Sequence, residues 1–132
     1  MNLYLFASAV LMVGLAVVHS VLGEIKIFRH IKDTDELPHL KGFPLIRKND
    51  YAAKLTIRMV WHLITVMALA LTAILFHLSL LPSLTGSEVC IVKIIGASMF
   101  ASFIVSLIIS KGSHVAWIAF LLIGTLCIMG VL

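Results

Sequence analysis

Four long apolar runs separated by polar segments dominate the pattern of this chain. A helix needs about 20 mostly apolar residues to cross the roughly 30 Å hydrocarbon core of a bilayer. The runs that come close to this length are 3–22, 57–81, 89–110 and 114–132. The pattern therefore predicts an all-α integral membrane protein with four transmembrane helices.

The segments between the runs predict how these helices connect. A proline, a glycine and several hydroxyl residues lie between Leu81 and Ser87, and the third and fourth runs are separated only by 110–113. Connections this short place consecutive helices antiparallel. The long polar segment, 23–55, separates the first two runs. We therefore predict an antiparallel four-helix bundle that forms one membrane domain, 1–132, with one polar loop.

The composition agrees with a lipid environment. Of the 132 residues, 61% are hydrophobic and 12% are charged, whereas soluble domains contain about 25% charged residues. The formal net charge is +4, and eight of the ten Lys and Arg residues lie between Lys26 and Arg58. This local positive charge indicates contact with a bilayer surface, and nothing in the chain indicates nucleic acid as a partner.

The distribution of Lys and Arg also predicts the orientation. Basic residues accumulate in cytoplasmic loops; the polar loop 23–55 contains seven, and the turn at 82–88 contains none. The loop is therefore predicted to be cytoplasmic, with both termini outside the cytoplasm, in a bacterial inner membrane. The first run begins without Lys or Arg, which predicts a retained helix rather than a cleaved signal peptide.

Three histidines from different helices are predicted to lie at one depth. Counting about 1.5 Å per residue from the centre of each run, His19 and His62 lie roughly 10 Å toward the cytoplasm and His114 slightly further out. Arg58 and Glu24 are predicted to lie just below them. Because ionisable residues are costly inside a membrane, such a layer is a candidate functional site.

The chemistry of this layer points first to a cofactor. Imidazole and carboxylate are ligands for transition metals such as Zn, Fe or Cu, so His19, His62, His114 and Glu24 are the predicted metal ligands. Haem is the other possibility, with His19 and His62 as axial ligands. The spacing of His19 and Glu24 argues against binding of one ion by both residues. They are five residues apart, which is about 140° around a helix. Both reach one ion only if the helix unwinds near Gly23.

Two further residues complete the predicted cofactor site. Arg58 lies one turn from His62 and is placed to pair with a haem propionate. Ser106 belongs to a four-residue repeat of serines on the third helix and reaches the same depth. The other members of this repeat are Ser98, Ser102 and Ser110. Small residues let helices approach closely in lipid, so we predict this serine stripe to be a helix contact.

Other functions fit the same residues. The polar layer is also compatible with a homo-oligomeric channel or a proton-coupled carrier in which His62 or Glu24 gains and loses protons. A third possibility is an accessory or scaffold subunit, whose serine stripe docks a larger membrane complex and whose basic loop contacts lipid or a cytoplasmic partner. The histidines can also bond headgroups, water or a serine without any ligand. Whether the chain is an enzyme is left open by the sequence.

Overall fold

The computed structural model describes residues 1–29 and 50–132 of the chain, and every described regular element is helical. The predicted polar loop lies largely outside this part. The four α-helices are α1 (Leu3–Leu22), α2 (Asp50–Leu80), α3 (Gly86–Ser110) and α4 (Ala116–Met129). The prediction of an all-α chain with four apolar helices is therefore confirmed for the described residues.

Three segments of the described chain are long and apolar enough to cross a membrane: Leu3–Phe28, Lys54–Leu80 and Gly86–Ser110. Each segment extends beyond the predicted run at one end. The extensions of the first two segments shorten the polar loop on both sides. α4 is apolar but has only 14 residues, because the chain before Ala116 is occupied by a turn. It is thus shorter than the predicted run 114–132.

α1 continues without a break into a π-helix at Gly23–Phe28. Its wider turns include a bond from the N–H of Arg29 to the carbonyl of Glu24, five residues earlier (3.0 Å). A π-helix has more residues per turn than an α-helix and often marks a functional site. The change of helix begins at Gly23, the position near which a shared ligand for His19 and Glu24 would require the helix to unwind.

The chain folds into two compact units. The large unit comprises Met1–Ala16 and Ala68–Leu132, and the small unit comprises Val17–Met67. The large unit contains a core of buried apolar side chains contributed by all four helices. Its members are Leu5, Ala9, Met12, Leu75, Leu78, Val92, Ile95, Met99, Ile123 and Cys127. The polar site described below belongs to the small unit.

Two glycines allow α3 and α4 to pack closely within the large unit. A Cβ atom on Gly124 would lie 3.2 Å from the carbonyl oxygen of Gly96, and one on Gly96 would lie 3.3 Å from Cβ of Cys127. Close contact through small residues is a common way for helices to associate in lipid. The buried residues of α3 are Val92, Ile95, Gly96 and Met99, so its main packing face is not the predicted serine stripe.

Enlarging Gly124 should separate these two helices. We expect Gly124→Ile to destabilise the chain by about 1–3 kcal/mol, the usual range for overpacking a closely packed contact. Thr125→Ile is the control, because it places the same isoleucine side chain on the exposed next residue. Unfolding in mixed detergent micelles measures both; equal stability of the two variants would contradict the close contact.

Candidate functional site

The small unit places two pairs of polar side chains opposite each other. Ser20 of α1 and Glu24 of the π-helix are four residues apart, as are Arg58 and His62 of α2, and residues at this spacing share a helix face. Hydrogen bonds join Ser20 to His62 and Glu24 to Arg58, which is the pairing of two antiparallel segments. We call these four residues the His62 cluster.

Glu24 and Arg58 form a bidentate ion pair. Nε of Arg58 donates to Oε1 of Glu24 (2.7 Å), and Nη2 donates to Oε2 (2.6 Å). Paired, charge-assisted hydrogen bonds of this kind fix both position and orientation. The side chains of Arg58 and Glu24 are 55% and 35% exposed, respectively, so the pair lies at the surface of the protein. Arg58 thereby holds Glu24 in its ionised form.

His62 uses both ring nitrogens. Its Nε2 lies 2.7 Å from Oε1 of Glu24, and an ionised carboxylate only accepts hydrogen bonds. Nε2 must therefore carry the proton, which leaves Nδ1 of the neutral ring as an acceptor. The Ser20 hydroxyl, 3.1 Å from Nδ1, then donates to it. The ion pair consequently fixes the tautomer of His62 and the direction of the hydrogen bond from Ser20.

An aromatic layer lies beside the cluster. The rings of His19 and Trp61 stack with centroids 4.1 Å apart and an interplanar angle of 7°, and Nε1 of Trp61 donates to the His19 carbonyl (3.0 Å). Phe28 packs edge-on against Trp61. Gly23 makes room for the indole, since a Cβ atom there would lie 2.6 Å from Cε2 of Trp61 and closer still to Nε1.

The structure divides the predicted site residues between the two units. Those in the small unit are His19, Glu24, Arg58 and His62. His114 and Ser106 belong to the large unit. There His114 is exposed in the turn before α4, where its Nδ1 accepts from the N–H of Ala116 (3.2 Å), and Ser106 is half-buried on α3.

Hydrogen bonds within the cluster occupy the donor atoms that His62 and Glu24 would offer to a metal ion. Both nitrogens of His62 and both carboxylate oxygens of Glu24 are already engaged within the cluster. Across residues 1–29 and 50–132, no group of three or more His, Cys, Asp or Glu side chains is placed to hold a metal ion. A ligand bond to His62 would have to replace one of these hydrogen bonds. The cofactor hypothesis thus stays a prediction from the sequence.

Two members of the site, Ser20 and Trp61, are not among the residues predicted from the sequence. A usable signal was present, because the four-residue spacing of Ser20 and Glu24 repeats in Arg58 and His62. When one residue of the first pair lies opposite one residue of the second on an antiparallel helix, the residues four positions away also lie opposite each other. All four side chains then come into contact.

No family model, no curated protein and no solved structure matches this chain. The function is therefore inferred from the chain's own residues.

Proposed function

We propose that this chain is a membrane protein that passes protons through His62, in a channel or a proton-coupled carrier. The observation that supports this most is the hydrogen-bonded order Ser20, His62, Glu24, Arg58. It places a hydroxyl on one nitrogen of a single imidazole and a carboxylate on the other. Imidazole gains and loses protons close to neutral pH, which suits it to this task.

The location of the cluster favours function over simple packing. Glu24 and Arg58 lie within two of the segments apolar enough to cross a membrane, where ionised residues are expensive and usually mark ion or proton pathways. All the cluster bonds join one helix to another. A cluster that only neutralised a charge within these segments would need the ion pair but not the additional imidazole and hydroxyl.

The proposed transfer uses both nitrogens of His62. A proton arriving from the Ser20 side binds to Nδ1 and forms the imidazolium ion, which the Glu24 carboxylate stabilises. The proton on Nε2 then passes to Oε1 of Glu24 and from there to water at the exposed side of the cluster. Glu24 is then ionised again, and the ring is neutral with its proton on Nδ1. To restore the starting tautomer without returning the transported proton, the ring rotates and moves its proton from Nδ1 to Nε2 through a water molecule. One proton enters and one leaves, so the atoms and charge balance.

The finer membrane arrangement is also a proposal. We infer four antiparallel spans, with α4 completing the bundle; its support is the apolar sequence of α4 and the short turn that connects it to α3. The positively charged loop favours a bacterial inner membrane protein with the His62 cluster toward the cytoplasmic side of the membrane. Both termini then lie outside the cytoplasm. The surface location of the cluster favours a homo-oligomer or a larger membrane complex, in which a neighbouring subunit covers it.

Proton flux into vesicles tests the proposed function. The purified chain is reconstituted into liposomes containing a pH-sensitive dye, and a potassium gradient with valinomycin drives protons inward. We expect acidification well above that of protein-free liposomes, with or without a co-substrate gradient. Acidification equal to that of protein-free liposomes under all conditions would contradict the proposal.

The cofactor prediction is tested on the same sample. Elemental analysis and an optical spectrum of chelator-free protein report any metal or haem bound by His19, His62, His114 or Glu24. Because the donor atoms of the cluster are engaged, we expect no stoichiometric metal and no haem band that depends on His62. A bound metal or haem that disappears in His62→Ala would replace the proton proposal with the cofactor hypothesis.

A further inference from the structure

Hydroxyl side chains in the described helices usually bond to their own helix. Ser8, Thr72 and Thr125 each donate to the carbonyl four residues earlier, at 2.8–2.9 Å. This is the ordinary way for a helix to satisfy a hydroxyl where water is scarce. Ser20 is an exception, because it bonds to His62. Such an exception requires an explanation from its surroundings.

Thr65 is a second exception near the first. Its hydroxyl is buried and makes no hydrogen bond within the described part of the chain. Ser110, at the end of α3, also has such a hydroxyl, but it belongs to the large unit and not to the unit that contains the His62 cluster. A buried polar atom without a partner is uncommon in native proteins and often indicates an internal water. Thr65 therefore marks a candidate water site.

Thr65 lies one turn from His62 on the same face of α2. Arg58 and Thr65 are seven residues, or about 10 Å, apart along the helix axis, with His62 between them. Thr65 is about 3 Å along the helix from the middle of the span Lys54–Leu80. The polar groups thus extend from the surface ion pair to the middle of the candidate membrane span.

The unused bonding capacity of these groups is complementary. Ser20 donates its only hydroxyl proton to His62, so its oxygen can still accept hydrogen bonds. Thr65 has a hydroxyl proton with no acceptor. A water molecule that accepts a hydrogen bond from Thr65 and donates one to Ser20 completes the hydrogen bonding of both hydroxyls. A buried water needs at least two polar partners, and these two residues supply them.

We infer that Thr65 and Ser20 bind an ordered water, and that this water forms the end of the proton path that lies nearest the middle of the membrane. The inference rests on the proposed function and specifies its route from the middle of the membrane. A proton reaching the water displaces one of the water's protons to the Ser20 oxygen, and Ser20 passes its own hydroxyl proton to Nδ1 of His62. Each oxygen ends with the protons it started with.

Thr65→Val tests the inference, because valine keeps the shape of threonine and removes the hydroxyl. We expect the proton flux to fall by about tenfold or more and to recover in Thr65→Ser. Thr72→Val is the matched control: it removes another buried hydroxyl of α2, one bonded to the Ala68 carbonyl. It should leave the flux within about twofold of the original chain. Infrared difference spectra should show a water O–H band that is lost in Thr65→Val alone.

The outcomes separate the inference from the proposed function. Unchanged flux and an unchanged water band in Thr65→Val would overturn the water path, while loss of flux in His62→Gln would still support His62 as the proton carrier. If both variants conduct protons like the original chain, the proposed function fails and the inference fails with it. A fall in flux in Thr72→Val equal to that in Thr65→Val would show general loosening of α2 and would overturn the specific role of Thr65.

Discussion

Replacing His62 by glutamine is expected to reduce proton flux into liposomes by about a hundredfold or more. Glutamine is similar in size and can bond both Ser20 and Glu24, but it does not take up protons near neutral pH. Positioned proton donors and acceptors commonly contribute 10²–10⁴-fold in rate, so loss of the carrier group should remove nearly all protein-dependent flux. The fold should persist, because the packing of α1 and α2 does not depend on the imidazole ring alone.

A control and a second substitution sharpen this result. His77→Gln changes an exposed histidine of the same helix outside the cluster and should leave the flux unchanged. Glu24→Gln removes the carboxylate that stabilises the imidazolium ion and leaves Arg58 without its partner, so it should also lower the flux strongly. If His62→Gln conducts within twofold of the original chain, or if His77→Gln loses flux equally, His62 is not the carrier.

Enlarging Gly23 is expected to cause the largest loss of stability. A Cβ atom at this position would overlap the indole of Trp61, so even alanine forces the indole away from its stack on His19 and its bond to the His19 carbonyl. We expect Gly23→Ala to destabilise the chain by about 2 kcal/mol or more, within the range for overpacking. The emission of Trp61, measured in a Trp117→Phe background, should change with it.

Gly14→Ala is the matched control on the same helix. Nothing lies within 4 Å of a Cβ atom at Gly14, and alanine favours helix more than glycine by about 1 kcal/mol. This variant should therefore be neutral or slightly more stable. A double-mutant cycle gives a further check: with Trp61→Ala present, Gly23→Ala should cost little. Equal effects of Gly23→Ala with and without the indole would contradict the proposed steric contact.

The helices themselves could be predicted from the sequence, because 18 or more apolar residues in a row have few alternatives to a helix in lipid. The bounds were less accurate where polar residues continue a helix. Asp50 and Lys54 belong to α2, although their charges suggested a loop. The fourth run was predicted too long because His114 and Val115 lie in the turn before α4 and residues 130–132 follow its end.

The candidate site could be predicted only in part. Depth counting brought His19, His62, Glu24 and Arg58 to one level, and the structure places all four in the small unit. Depth does not determine the rotation of a helix about its axis. Apolar side chains occur on every face of α1, so its sequence does not indicate which face is turned toward α2. The pairing of Ser20 with His62 depends on that rotation and on the π-helix at Gly23–Phe28, which no local signal specifies beyond the glycine.

Nitrogen NMR of His62 tests the central claim most directly, because the claim depends on which nitrogen carries the proton. In protein labelled with ¹⁵N-histidine, the His62 signals are those lost in His62→Gln. We predict that the neutral ring carries its proton on Nε2, that acidification adds the second proton on Nδ1, and that Glu24→Gln weakens this preference. A neutral ring protonated on Nδ1, or a tautomer indifferent to Glu24→Gln, would contradict a proton path from Ser20 through His62 to Glu24.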